Sequence, residues 1–180
     1  EERFLGQGIG FCATCDAPLF RGRTVTVIGG GNSALDAALL LSKFATKVYL
    51  IHRKAEFRGE EYLVNKIGQT ENIETIMNSE LLEIVGNDYV ESIKLKDGKE
   101  FKVYGVFIEI GYIVNDALIE GFVKTDELGQ VVVNHNQETS LPGVYAAGDL
   151  TNMPFQQLVI AAGEGATAAL SAYDYLQKKS

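Results

Sequence analysis

Thr24-Val25-Thr26-Val27-Ile28-Gly29-Gly30-Gly31-Asn32-Ser33-Ala34 is the stretch on which the fold of this 180-residue chain turns. Five β-branched residues run into three glycines, and the residues from Ser33 to Phe44 that follow are rich in Ala and Leu and apolar nearly all round. The first segment predicts a buried strand and the second a buried helix. Lys47 to Ile51 predicts a second strand, so the glycines sit inside a strand–turn–helix–strand unit. Gly29, Gly31 and Ala34 fit G-x-G-x-x-A, with Gly30, Asn32 and Ser33 completing the turn. In such a turn the first glycine permits the sharp bend. The second lets the backbone approach a pyrophosphate, and the small third residue lets helix and strand pack closely. The start of the helix adds N–H groups and a positive dipole end. A plain strand–helix turn could carry the same glycines, but the flanking strand and helix favour a nucleotide site.

The end of the second strand sharpens that reading. About 20 residues past the first glycine, NAD-binding domains carry an acid for the ribose 2′-hydroxyl. This chain has His52-Arg53-Lys54 there, followed by Arg58. An acid would repel a 2′-phosphate, whereas basic groups bind one, and Arg can grip it with two parallel hydrogen bonds. Two charge-assisted hydrogen bonds would favour NADPH over NADH by about a hundredfold. The alternative, a solvated basic patch, is the weaker reading in a net-acidic chain.

On the N-terminal side, residues 1–11 read as a connector punctuated by Gly6, Gly8 and Gly10. Then comes Cys12-Ala13-Thr14-Cys15-Asp16, which holds both cysteines of the chain. A C-x-x-C pair beside a nucleotide-binding unit reads as a redox centre, one sulfur attacking a disulfide and the other resolving the mixed disulfide. Asp16, directly following, could protonate a leaving thiolate or an enzyme base. Half a zinc site and a pair of buried, inert thiols are the alternatives. Zinc wants four ligands, and the only other soft donors are His52 and His135. No metal site is expected.

On the C-terminal side, Glu60 to Ile67 predicts a helix and Ile73 to Met77 a third strand. Glu80–Val85, Val90–Lys96 and Glu100–Val103 are short runs separated by Gly86-Asn87-Asp88 and Asp97-Gly98, which predicts a small antiparallel meander. Val106 to Ile110 returns to a buried strand, and a domain boundary is expected near Tyr112. Beyond it, Val131–Val133 and Val144–Ala147 read as strands and Phe155 to about Lys178 as a long helix. Gly163 and Gly165 lie inside that helix, at a cost of about 1 kcal/mol each relative to Ala, and suggest close packing against a backbone or ligand.

Composition fits a folded domain: 46% hydrophobic and 22% charged residues. The net charge of −8 argues against nucleic acid as a main partner. No apolar run is long enough to span a bilayer, and the N-terminus lacks a signal-peptide layout. A reducing cytoplasm is the expected compartment.

Taken in order, Cys12-Ala13-Thr14-Cys15-Asp16, GGGNSA and His52-Arg53-Lys54-Ala55-Glu56-Phe57-Arg58 resemble the low-molecular-weight thioredoxin reductases. The string from Thr139 to Asp149 (TSLPGVYAAGD) and the later Gln157 and Ala162-Gly163-Glu164-Gly165 resemble that family's C-terminal FAD motif and the helix after it. The resemblance implies an α/β fold: a Rossmann-like NADPH-binding domain with a small antiparallel meander, plus the C-terminal part of a Rossmann-like FAD-binding domain. It divides the chain into residues 1–112, carrying the connector, the NADPH site and the CxxC centre, and residues 113–180, the C-terminal half of the FAD domain. It also implies roles. Cys15 would contact the flavin, Cys12 would attack the protein substrate and Asp16 would handle a proton. Gly148 and Asp149 would meet the flavin's ribityl–phosphate region, and Gln157 would face its ring. Electrons would pass from NADPH through FAD and the CxxC disulfide to thioredoxin, and a homodimer is expected.

Three departures stand out. Val114 replaces a proline common in the family, Gln156 a basic residue and Lys54 an arginine. Only one glycine fingerprint is present, so the FAD site is expected to be incomplete and the segment after Tyr112 to expose apolar surface. The flavoprotein component of alkyl hydroperoxide reductase shares this core but usually carries an acid where His52-Arg53-Lys54 stands. A non-catalytic NADP(H)-binding module and a zinc-bound structural domain are the remaining alternatives.

Overall fold

The computed structural model describes residues 2–111, 119 and 121–179, and the chain forms two compact units, Glu1–Gly111 and Tyr112–Ser180. The expected boundary residue Tyr112 and the departure at Val114 lie outside the described residues.

In the first unit the elements follow as β1 (Ile9–Gly10), α1 (Ala13–Asp16), β2 (Thr24–Gly29), α2 (Asn32–Ser42), β3 (Lys47–Ile51), α3 (Glu61–Gln69) and β4 (Ile73–Ile76). They continue as β5 (Leu81–Gly86), β6 (Val90–Leu95), β7 (Glu100–Lys102) and β8 (Gly105–Glu109). Five strands make a parallel sheet in the order β1-β8-β2-β3-β4. β5, β6 and β7 make the expected antiparallel meander.

Alternation along the strands explains why both faces of the parallel sheet are covered. Val25 and Val27 of β2, Val48 and Leu50 of β3 and Phe107 of β8 join one core with Leu35, Ala38 and Leu41 of α2 and Leu63 and Ile67 of α3. The intervening residues Ile28, Tyr49, Ile51, Val106 and Ile108 join a second core against Ile93 and Leu95 of the meander. Thr26, the one polar residue inside β2 with no access to solvent, donates its hydroxyl to the Tyr49 carbonyl at 3.0 Å. The strand order reverses between β2 and β8, and ligands of open α/β sheets sit at the carboxyl ends of the strands at such a point.

The connector reading of residues 1–11 needs correction. Ile9 and Gly10 pair in parallel with Val106 and Phe107, and Phe4 and Ile9 are buried in the second core. Two paired residues are too few to leave a periodic signal in the sequence.

The second unit departs further from expectation. Val131–Val133 and Val144–Ala147 do not form strands. Val131 makes single bridges to Thr125 and Thr151, and Tyr145 one to Glu138. Val131 and Val133 are buried with Val123 in a small third core, so their apolar character reflects burial without a continuous ladder. The long helix is present as α4 (Leu158–Lys179). Among its described residues only Glu164 is buried, while Leu158, Val159 and Leu170 are exposed. A methyl group added at Gly163 or Gly165 would meet nothing within 4 Å, so these glycines do not mark close packing here. Among the described residues no helix is long and apolar enough to cross a membrane.

Candidate functional site

The glycine turn is built by close approach. A Cβ on Gly29, whose φ is +155°, would collide with the Glu109 carbonyl and come within 2.7 Å of the Ala34 methyl. A Cβ on Gly30 would occupy the ring of His52. Ala34 is fully buried, as a small residue at the helix–strand contact must be. Gly31 is the N-cap of α2 and no side chain caps the helix, so the backbone donors of its first turn have no side-chain acceptor there. The Asn32 side chain instead reaches Glu60, accepting from its N–H at 2.8 Å and donating to its carboxylate at 3.2 Å. Ser33 is exposed.

The basic loop after β3 is tied to this turn. The Arg58 N–H donates to the Gly30 carbonyl at 2.7 Å. His52 stacks on Phe57 with ring centroids 5.7 Å apart. The residue is 4% exposed. Burial pushes the His52 pKa below the usual histidine value. The Glu56 backbone opposes that shift by hydrogen bonding, and Arg58, Lys54 and Arg53 reinforce it. His52 thus differs from its exposed basic neighbours: its buried ring is a packing piece that holds the loop against Gly30. Arg53, Lys54 and Arg58 are exposed.

A cavity of about 350 Å³ opens at the carboxyl ends of β2, β3 and β8. Gly29, Gly30, His52, Arg53 and Arg58 line it, and Ser79 and Glu80 face it from the segment before β5. Lys54, Gly31, Asn32, Ser33 and Ala34 are not part of the wall. Glu80 is held below the ordinary carboxylate range by its hydrogen bond to Lys96 at 2.6 Å.

Glu109 also lines this cavity, and the sequence reading missed it. Its burial pushes the carboxyl up to about 7. Among the described residues no side chain pairs with it. The signal was available as the one charged residue in the apolar run Val106-Phe107-Ile108-Glu109-Ile110.

Cys12 and Cys15 form a disulfide, with Cα atoms 5.3 Å apart. Cys15 is exposed and Cys12 half-buried, which removes the alternative of two inert buried thiols. The Cys12 sulfur accepts from the Cys15 N–H at 3.2 Å and so caps α1. The Asp16 carboxylate lies over Gly10, where an added Cβ would be 3.0 Å from its oxygen. Among the described residues no group of three or more His, Cys, Asp and Glu could hold a metal ion.

In the second unit Gly148 has φ +82°, and its N–H donates to the buried Glu164 carboxylate at 2.7 Å. Its carbonyl accepts from the Thr151 N–H and hydroxyl at 2.9 and 2.8 Å. Asp149 beside it is exposed. The Gln157 carbonyl accepts from the Ala161 N–H at the start of α4.

A glycine turn, a basic pair on one cavity wall and a C-x-x-C disulfide lie within the same unit, and the sequence places the chain in a known class of redox protein. The chain belongs to the pyridine nucleotide-disulphide oxidoreductase family, which it matches over residues 3–165. It is 38% identical to an alkyl hydroperoxide reductase component of Pseudomonas putida, covering 100% of this chain and 36% of that protein. It is 37% identical to an NADH dehydrogenase of Bacillus subtilis, over 98% of this chain and 36% of that protein. It is also similar to the solved structure of thioredoxin reductase from Streptococcus pyogenes: TM-score 0.88, 32% identity, 96% of this chain and 58% of that one. The chain thus spans little more than a third of the curated relatives. The family is named for a pyridine nucleotide and a disulphide.

Proposed function

We propose that residues 1–112 are the NADPH-binding and disulfide-carrying part of a thioredoxin-reductase-like flavoenzyme, and residues 113–180 the C-terminal half of its FAD domain. The observation that carries this reading is the cavity wall, where Arg53 and Arg58 stand beside Gly29 and Gly30, two positions of the turn that leave no room for a Cβ. Such a cradle fits a dinucleotide diphosphate at Gly29–Ala34, with a 2′-phosphate held by the two guanidinium groups. Lys54, outside the wall, contributes its charge at longer range. When bound, the nicotinamide supplies a hydride and FAD converts it into electrons for a disulfide. Gly148, Asp149 and Gln157 are the residues of this chain that would hold the flavin, and the site they offer is partial.

The chain's own chemistry is thiol exchange. Two electrons and two protons convert the Cys12–Cys15 bond into two thiols. The Cys12 thiolate then attacks a substrate disulfide, forming a mixed disulfide and expelling one substrate thiolate; the proton role of Asp16 in this step rests on the family resemblance. Cys15 attacks the Cys12 sulfur, expels the second substrate thiolate and restores the Cys12–Cys15 bond. Exposure alone would favour Cys15 as the attacking sulfur. The assignment of Cys12 rests on the family resemblance. Thioredoxin or a thioredoxin-like protein in the cytoplasm is the proposed substrate and a homodimer the proposed assembly.

The alternative, an alkyl hydroperoxide reductase flavoprotein using NADH, is favoured by the names of the curated relatives. The basic pair speaks for the first reading, because NADH has no 2′-phosphate for Arg53 and Arg58 to hold. The test is the double change Arg53→Ala and Arg58→Ala. NADPH affinity should fall by about a hundredfold and NADH affinity should hardly move. Equal loss of both cofactors would sink the assignment.

A further inference from the structure

Glu109 is a carboxyl in a nucleotide cavity, where repulsion from a diphosphate should exclude one unless it has a use. It stands opposite Gly29 in the β2–β8 register. The cavity has two unlike ends. On the β3 side are Arg53 and Arg58, while on the β8 side Ile108 and Ile110 flank Glu109, the one polar side chain there among the described residues. The disulfide belongs to the β8 side too: β1 pairs with β8 at Gly10 and Phe107, and Cys12 and Glu109 each lie two residues further along.

A dinucleotide whose 2′-phosphate end is held on the β3 side crosses the glycine turn and lays its other end over β8. We infer that Glu109 anchors the nicotinamide-riboside end of the bound dinucleotide, its carboxyl oxygens accepting hydrogen bonds from the ribose hydroxyls. This rests on the dinucleotide reading of the cavity. The titratable groups around Glu109 leave it available. His52 and Arg53 at the end of β3, Arg58 after them and Glu80 before β5 line the same cavity, and Asp16 lies against Gly10 on the β1 side. The glycine turn itself carries no titratable side chain. None of these residues pairs with the Glu109 carboxyl, so a bound hydroxyl would be its first partner.

The test is calorimetric titration of the whole chain with two probes: NADPH, and adenosine 2′,5′-bisphosphate, which lacks the nicotinamide half. E109A should weaken NADPH binding by about tenfold, the worth of one hydrogen bond to a charged group, and leave the bisphosphate unchanged. E109Q keeps a carbonyl acceptor and should recover most of the loss. Unchanged or tighter NADPH binding by E109A would overturn the inference, and so would equal losses for both probes. If the unaltered chain binds the bisphosphate and NADPH equally well, Glu109 has no ligand and the inference fails while the cavity reading stands. Binding of neither probe would remove the cavity reading and the inference together.

Discussion

The two units of this chain use similar side chains to different ends. In the first, Val25, Val27, Val48 and Leu50 are fully buried because each strand has neighbours on both sides and a layer on both faces. In the second, Val131 is equally buried, but it makes only isolated bridges, and the 22-residue α4 buries a glutamate while Leu158 is 90% exposed. An apolar sequence yields a buried strand or a packed helix only where partners complete the layer.

That contrast can be broken by mutation. Leu35, fully buried between α2 and the neighbouring core, should cost about 3 kcal/mol when changed to Ala, read from urea unfolding. Leu158→Ala should stay within about 0.5 kcal/mol, and a loss comparable to that of Leu35→Ala would mean α4 is packed in solution. Glycines sharpen the same point with smaller effects. Gly29→Ala meets the Glu109 carbonyl and should destabilise by about 2 kcal/mol. Gly165→Ala meets nothing within 4 Å inside a helix and should stabilise by about 0.5–1 kcal/mol.

Glu109 adds a pH dependence between these extremes. Its carboxyl is raised from the ordinary value of 4.5 to about 7 by burial, so the folded chain binds the proton more tightly than the unfolded one. Stability from this group is therefore full below about pH 4.5 and is lost as pH rises through about 7. Discounted for its partial exposure, the loss should be on the order of 1–2 kcal/mol by pH 8 and absent in Glu109→Gln. Parallel stability–pH curves for the two proteins would refute it.

The sequence was most legible where a pattern repeats over several residues. The β-branched run into Gly29-Gly30-Gly31 announced β2, its turn and α2, and Asp97-Gly98 announced the hairpin between β6 and β7. It was silent where a role depends on distant residues. Strand β1 has two residues and exists through its pairing with β8, far along the chain at Val106 and Phe107. His52 reads as one of a basic cluster beside Arg53 and becomes a packing ring only because Gly30 and Phe57 enclose it. Glu109 reads as one charge in a strand, and its cavity forms only when the ends of β2, β3 and β8 meet.

The most direct test of the central claim is an amide NMR titration of the whole chain with NADPH. Saturable binding of one molecule per chain is predicted, with the largest shifts at Gly29–Ala34, Arg53, Arg58 and Glu109 and with residues 121–179 hardly moving. No saturable binding, or shifts concentrated in residues 121–179, would contradict the claim that the first unit carries the dinucleotide site.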